Sequence, residues 1–236
     1  MNQLDVHTHT IASGHGTKCT ITDMAREAER KGISLLGISD HGPATLLSCR
    51  PSYFRSLAMA PKRRCGVELL YGVELNILDY EGTVDLDLDT LSFLDYAIAS
   101  LHRMNLKPGS RTENTEAYIG AMKNPHVKII GHCDDGGYPV DYEALVQAAG
   151  EYGVLLEINN SSLLPGGYRG DTRENNLEIL KLCRCYHRPL ILSSDSHGKD
   201  KIGEVSCAEK LVLEASYPAE LILNYDYHKF KEFIRK

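Results

Sequence analysis

Nowhere in this chain do apolar residues run for the roughly 18 positions that a membrane-spanning helix needs. The opening Met1-Asn2-Gln3-Leu4-Asp5 has neither the basic stretch nor the apolar run of a secretory leader, so a cytoplasmic location is expected. No two cysteines form a CxxC pair. The seven thiols are odd in number and scattered, which points to reduced cysteines and not to a disulfide framework. Basic charge is short as well: 26 Lys and Arg against 32 Asp and Glu give a formal net charge of −6. General binding to nucleic acid, which draws on a basic face, is therefore disfavoured. Internal repeats, low-complexity tracts and a dividing linker are all missing, and one domain over residues 1–236 is expected.

What is present is the composition of a globular protein, 42% apolar and 25% charged. Short apolar runs alternate with longer helical patterns. Strands are predicted at 4–7, 33–39, 69–75, 96–100, 127–131, 154–158 and 189–193. Their continuous apolar character suits strands buried on both faces, as in a parallel sheet. Helices are predicted from the Thr20-x-x-Asp23 capping box to about Lys31-Gly32, then over 115–123, 141–152 with Gly153 as a stop, and 175–186. Two further helices, 207–215 and 227–234, close the chain. This alternation predicts an α/β fold, an irregular seven-stranded TIM-like (β/α) barrel. An open doubly wound sheet is the competing architecture. It carries a glycine-rich phosphate loop after its first strand, where this chain has His7-Thr8-His9.

The ten histidines are placed unevenly. His7 and His9, two apart on an extended segment, point the same way and can reach one ion together. His15 follows in a loop between two glycines. The second predicted strand ends in Ser39-Asp40-His41-Gly42, the fourth in Leu101-His102, the fifth in Gly131-His132 and the seventh in Ser194-Asp195-Ser196-His197. Glu74 lies inside the apolar third strand, where a carboxylate is costly unless paired or metal-bound. Singly, each of these has an ordinary explanation: a surface histidine, a capped turn, an acid bonded to backbone amides. Together, seven histidines fall at or just beyond the carboxyl ends of strands, while His126, His187 and His228 fall elsewhere. That end is where a parallel barrel builds its active site. Mixed imidazole and carboxylate donors suit zinc, manganese or iron better than magnesium or calcium.

These motifs, with Gly72-Val73-Glu74 and Glu157-Ile158-Asn159-Asn160, resemble the ordered motifs of the PHP-domain phosphoesterases, nearest to the small stand-alone bacterial phosphatases of the YcdX type. The resemblance covers almost the whole chain. It implies a PHP barrel holding three divalent ions, zinc ahead of manganese or iron. His7, His9, Glu74 and Asp195 would hold the first; Glu74, His102 and His132 the second; His15, His41 and His197 the third. It also implies a phosphatase acting on small phosphomonoesters, with Glu74, Asp195 and His197 catalytic. A hydroxide shared by the two ions that Glu74 bridges would attack phosphorus. Asp40 is expected to hold a ligand imidazole from behind, and Lys107, Arg111, Arg169 and Arg173 are candidate phosphate contacts. Relatives often show a proline-containing turn after the fifth-strand histidine. Here Cys133-Asp134-Asp135-Gly136-Gly137 stands there, which leaves that rim and the substrate preference open.

Other readings of the same residues remain. An amidohydrolase also opens with HxH but bears a lysine on its fourth strand, where this chain has His102. A phosphodiesterase or nuclease with the same metal centre stays open, as does a non-catalytic metal-binding regulatory module. The expected partner is a small phosphorylated substrate, with no membrane, and assembly into a homo-oligomer is open.

Overall fold

Each predicted strand forms in the computed structural model, which describes residues 3–167, 169–170 and 172–235. The strands are β1 (Leu4–Asp5), β2 (Leu35–Ile38), β3 (Arg63–Arg64), β4 (Val67–Asn76), β5 (Tyr96–Ser100), β6 (Val127–Ile130), β7 (Leu155–Asn159) and β8 (Leu190–Ser193). Seven run parallel in the order β1-β2-β4-β5-β6-β7-β8, and β3 is an antiparallel stub on β4. The helices are α1 (Ile21–Arg30), α2 (Pro51–Ser56), α3 (Leu88–Leu91), α4 (Arg111–Met122), α5 (Tyr142–Tyr152), α6 (Thr172–Cys185), α7 (Ser206–Glu214) and α8 (Tyr227–Ile234). Neighbouring parallel strands joined through helices make the expected (β/α) barrel.

The ring is nearly closed between β1 and β8. Beyond their ends, His9 N donates to Ser196 O at 2.8 Å and Ser196 N to His7 O at 3.3 Å. Lower down, Asn224 fills the seam. Its side chain accepts from Leu192 N at 2.7 Å and donates to Leu192 O at 2.8 Å, while its main-chain oxygen accepts from Gln3 N at 2.9 Å.

Strand side chains alternate between two apolar layers, as a period of two requires. Leu36, Ile38, Leu69, Tyr71 and Val73 belong to the outer layer under the helices. Leu35, Leu70, Tyr96, Ile98, Ile129, Leu155 and Ile191 fill the interior, where Phe230 and Ile234 of α8 join them. Tyr96 crosses the interior and donates its hydroxyl to Val6 O. It occupies room left by Gly37 and Gly72, where an added methyl group would overlap it.

Two departures from the predicted elements have local causes. The helix predicted at 115–123 begins at Arg111, because Ser110 and Glu113 form a reciprocal capping box. The segment 50–64, for which no element is predicted, contains α2, opened by Pro51 at its first turn. Among the described residues no helix is long and apolar enough to cross a membrane.

Candidate metal centre

Leu70 faces the barrel interior, so Glu74, four residues along the same strand, does too, at the carboxyl end of β4. Its side chain is 1% exposed, a position that requires compensation for the buried charge. Five imidazoles surround it. His7 Nε2, His102 Nε2 and His132 Nε2 lie 3.4, 3.2 and 2.9 Å from Oε1, and His41 Nδ1 and His9 Nε2 lie 2.6 and 3.7 Å from Oε2. Asp195, just past β8, brings Oδ1 to 3.2 Å from His9 Nε2 and 3.6 Å from His7 Nε2. His197 Nε2 is 3.3 Å from His41 Nε2. The exposed His15 stacks its ring 4.9 Å from that of His41 and lies 5.2 Å from that of His197.

Three of these rings are held from behind. Glu157 of β7 accepts from His7 Nδ1 at 2.6 Å and from His132 N at 2.7 Å. Asp40 accepts from Thr10 N at 2.6 Å, the Tyr53 hydroxyl at 2.8 Å and Ser13 Oγ at 2.7 Å, and Ser13 Oγ is 3.0 Å from His9 Nδ1. Asn76 Oδ1 accepts from His102 Nδ1 at 2.7 Å, while Asp85 Oδ2 accepts from Asn76 Nδ2 at 2.6 Å. With Nδ1 assigned as donor in each ring, Nε2 is left facing Glu74 or Asp195.

Such an arrangement is costly by itself. His7 Nε2, His9 Nε2 and Glu74 Oε2 are buried with no hydrogen bond, although acceptable donors and acceptors surround them. Native interiors rarely tolerate this. Bound cations would satisfy these atoms, so the residues fit a metal centre. Among the described residues, donor atoms come within 4.8 Å of one another in three groups: His7, His9 and Asp195; His41, Glu74 and His102; His9, His41 and His197. Burial raises the Glu74 and Asp195 pKa values. The surrounding histidines, joined at Asp195 by Arg169, outweigh it and hold both well below the ordinary carboxylate range. Burial, then His41 and His197, holds His9 well below the usual imidazole value, so it is neutral and its lone pair free. Burial opposes a charge on His7, but Glu157, Asp195 and Glu74 prevail and raise it. His132 at φ 27° and Asp195 at φ 50° take the left-handed region, backbone strain of the kind that collects at functional sites.

All nine side chains predicted as ligands converge on this mouth, but their spacing cuts across the predicted grouping. His41 lies with Glu74 and His102 as well as with His197, and His9 in place of His15 completes the cluster of His41 and His197. Asp40 does hold an imidazole, through Ser13. Three candidate phosphate contacts are not among the residues lining the cavity: Lys107 is exposed, Arg111 donates to Val140 O at 3.1 Å, and Arg173 pairs with Glu174 and Glu214. Arg111 and Arg173 belong to the first turns of α4 and α6, not to loops. Arg169 is buried at the centre, its Nη2 3.0 Å from Asp195 Oδ2 and its Nη1 3.0 Å from Ser162 Oγ. The 133–137 rim brings Asp135 Oδ1 to 3.2 Å from Arg103 Nη2, an arginine that sequence reasoning passed over. Glu157 was missed as a supporting residue too. It carries the signal that marks Glu74, an acid inside an apolar strand.

A nearly closed parallel barrel with buried histidines and carboxylates at the carboxyl ends of its strands defines a barrel hydrolase. The chain belongs to the PHP-domain family, whose model matches residues 5–161. It is 42% identical over 233 residues to a protein of Caldicellulosiruptor saccharolyticus named a probable phosphatase, covering 99% of this chain and 96% of that one. A probable phosphatase of Clostridium botulinum is 38% identical over 232 residues, covering 98% of this chain and 94% of that one. The fold is similar to that of the histidinol phosphate phosphatase of Lactococcus lactis, solved with zinc, L-histidinol and phosphate. The TM-score is 0.64 at 17% identity, covering 92% of this chain and 95% of that one. The chain is a phosphatase of the PHP family.

Proposed function

We propose that this phosphatase hydrolyses small phosphomonoesters with the aid of divalent cations, the whole chain acting as one catalytic unit. The observation that carries the reading is the convergence of imidazole nitrogens and carboxylate oxygens, several buried without a partner, around Glu74. His7, His9, Glu74 and Asp195 would hold one ion, Glu74 with His102 and His132 a second, and His15, His41 and His197 a third, with His9 and His41 near enough to the neighbouring sets to be shared between them. Such ions, zinc ahead of manganese or iron for this donor set, supply Lewis acidity and lower the pKa of water towards neutrality. Glu74 would be shared by the first two sets, since His7 of one and His102 and His132 of the other all face its Oε1. Arg169 orients Asp195 through its 3.0 Å contact and, with Arg103, adds positive charge at the mouth for a phosphate dianion. Glu157, Asp40 and Asn76 keep the His7, His9 and His102 Nδ1 protons in place, so Nε2 is the donor atom.

The test is to purify the protein, count its ions and assay phosphomonoesters beside diesters. Monoester hydrolysis that a chelator abolishes and zinc or manganese restores is expected, with Glu74→Ala inactive. Wild-type turnover no greater than that of Glu74→Ala sinks the enzyme reading. Cleavage of diesters or nucleic-acid ends alone replaces it with a nuclease.

A further inference from the structure

Above the histidines and carboxylates lies a cavity of about 530 Å³ whose upper wall includes Leu46, Leu47, Leu101 and Met104. Three of these stand in solvent, Leu46 at 75%, Leu47 at 76% and Met104 at 87% exposure. A lone exposed leucine is unremarkable; three large apolar side chains around one cavity mark a binding surface. They sit on two loops, each tied down. In the loop after His41, Ala44 N donates to Asp85 Oδ2 at 2.9 Å, Thr45 Oγ1 to Asn76 Oδ1 at 3.2 Å, and Ser48 Oγ to His41 O. Leu47 takes φ 67°, and Gly14, at φ 80°, is where a Cβ would overlap the Leu47 carbonyl. A leucine in the left-handed region whose side chain ends in water does little for folding, which directs attention to a ligand. Met104 tops the turn closed by Asn105 N and Leu106 N donating to His102 O at 2.9 and 3.0 Å. The polar neighbours are engaged with protein: Thr45 and Asn105 with Asn76, Arg103 with Asp135.

We propose that this rim binds an apolar leaving group, so that the substrate is the phosphomonoester of an alkyl or aryl alcohol and not of a sugar. The proposal rests on the phosphatase reading above: with phosphate on the histidine–carboxylate floor, the alcohol projects past Leu46 and Met104. A polyol there would surrender hydrogen bonds to water and find apolar surface instead.

The experiment is kcat/KM for n-alkyl phosphates from methyl to hexyl, whose alcohols leave about equally well, with glucose 6-phosphate alongside. Wild-type protein is expected to gain up to about fourfold per methylene, the factor set by burying one CH₂, and to prefer hexyl phosphate to the sugar ester. The Leu46→Ser/Met104→Ser double variant, altered only at exposed positions, should flatten that slope; a general loss of activity would shift every ester alike and leave the slope intact. A flat wild-type slope, a preference for the sugar phosphate, or an unchanged slope in the variant overturns the proposal while the phosphatase reading stands. Failure to hydrolyse any monoester overturns both.

Discussion

A carboxylate taken out of water must recover its solvation from neighbours, and Glu74 is ringed by five imidazoles within 3.7 Å. The imidazoles are oriented in turn by groups that never face the cavity. Glu157 matters most among these, because one carboxylate fixes both the His7 ring and the His132 backbone on neighbouring strands. Glu157→Gln keeps the size and replaces one acceptor by a donor. It should lower metal affinity or kcat/KM about 10–100-fold, as measured by metal titration and steady-state kinetics. Asp134 is a second buried acid, and burial pushes its pKa up to about 7 against the ordinary value near 4. In the metal-free protein the folded state then keeps a proton that the unfolded chain releases as pH rises from about 4 to 7. Its contribution to stability is complete below that window and lost above it. Asp134→Asn cannot titrate, so the stability of wild type relative to the variant should fall between pH 5 and pH 7.5. Urea unfolding at those two values checks the sign.

At the level of elements, much of the fold follows from local pattern. The apolar runs became strands, and the Thr20–Asp23 capping box and Gly153 bound their helices as expected. The early start of α4 was legible too, since Ser110 and Glu113 have the spacing of the Thr20–Asp23 pair. The seam between β1 and β8 was not. Asn224 lies far along the chain from both strands, and nothing in its surroundings marks it as a substitute for a β-ladder. Replacing it by alanine strands the Leu192 N–H and C=O in a dry site. Asn224→Ala should cost about 3 kcal/mol in chemical unfolding and speed amide exchange in β1, the strand that leads into His7 and His9.

For the molecule as a whole, closing the ring solves two problems at once. It leaves almost no strand edge unpaired, and it gathers the carboxyl ends of seven strands around one mouth. The interior layer also needs a lid against water. Phe230 of α8 provides it, with its ring 6.3 Å from that of Tyr96. Phe230→Ala should destabilise the protein by about 3–5 kcal/mol. It should leave KM for a phosphomonoester little changed at temperatures where the variant is folded, since the lid lies far from the mouth. Thermal unfolding and kinetics at 20 °C separate those two effects.

The sequence by itself determined the seven parallel strands, the barrel they imply and the histidines and carboxylates at its mouth. Those depend on spacing along the chain: two residues for the inward face of a strand, and the step from apolar run to polar turn at each strand end. Only the tertiary structure decided which donors stand together. Distances between side chains on different strands are set by register, barrel tilt and backbone strain, and none of these is local. That is why His41 came to lie between Glu74 and His197, why Arg169 reached the centre while Lys107, Arg111 and Arg173 did not, and why Leu46, Leu47 and Met104, from loops far apart in the chain, border one cavity.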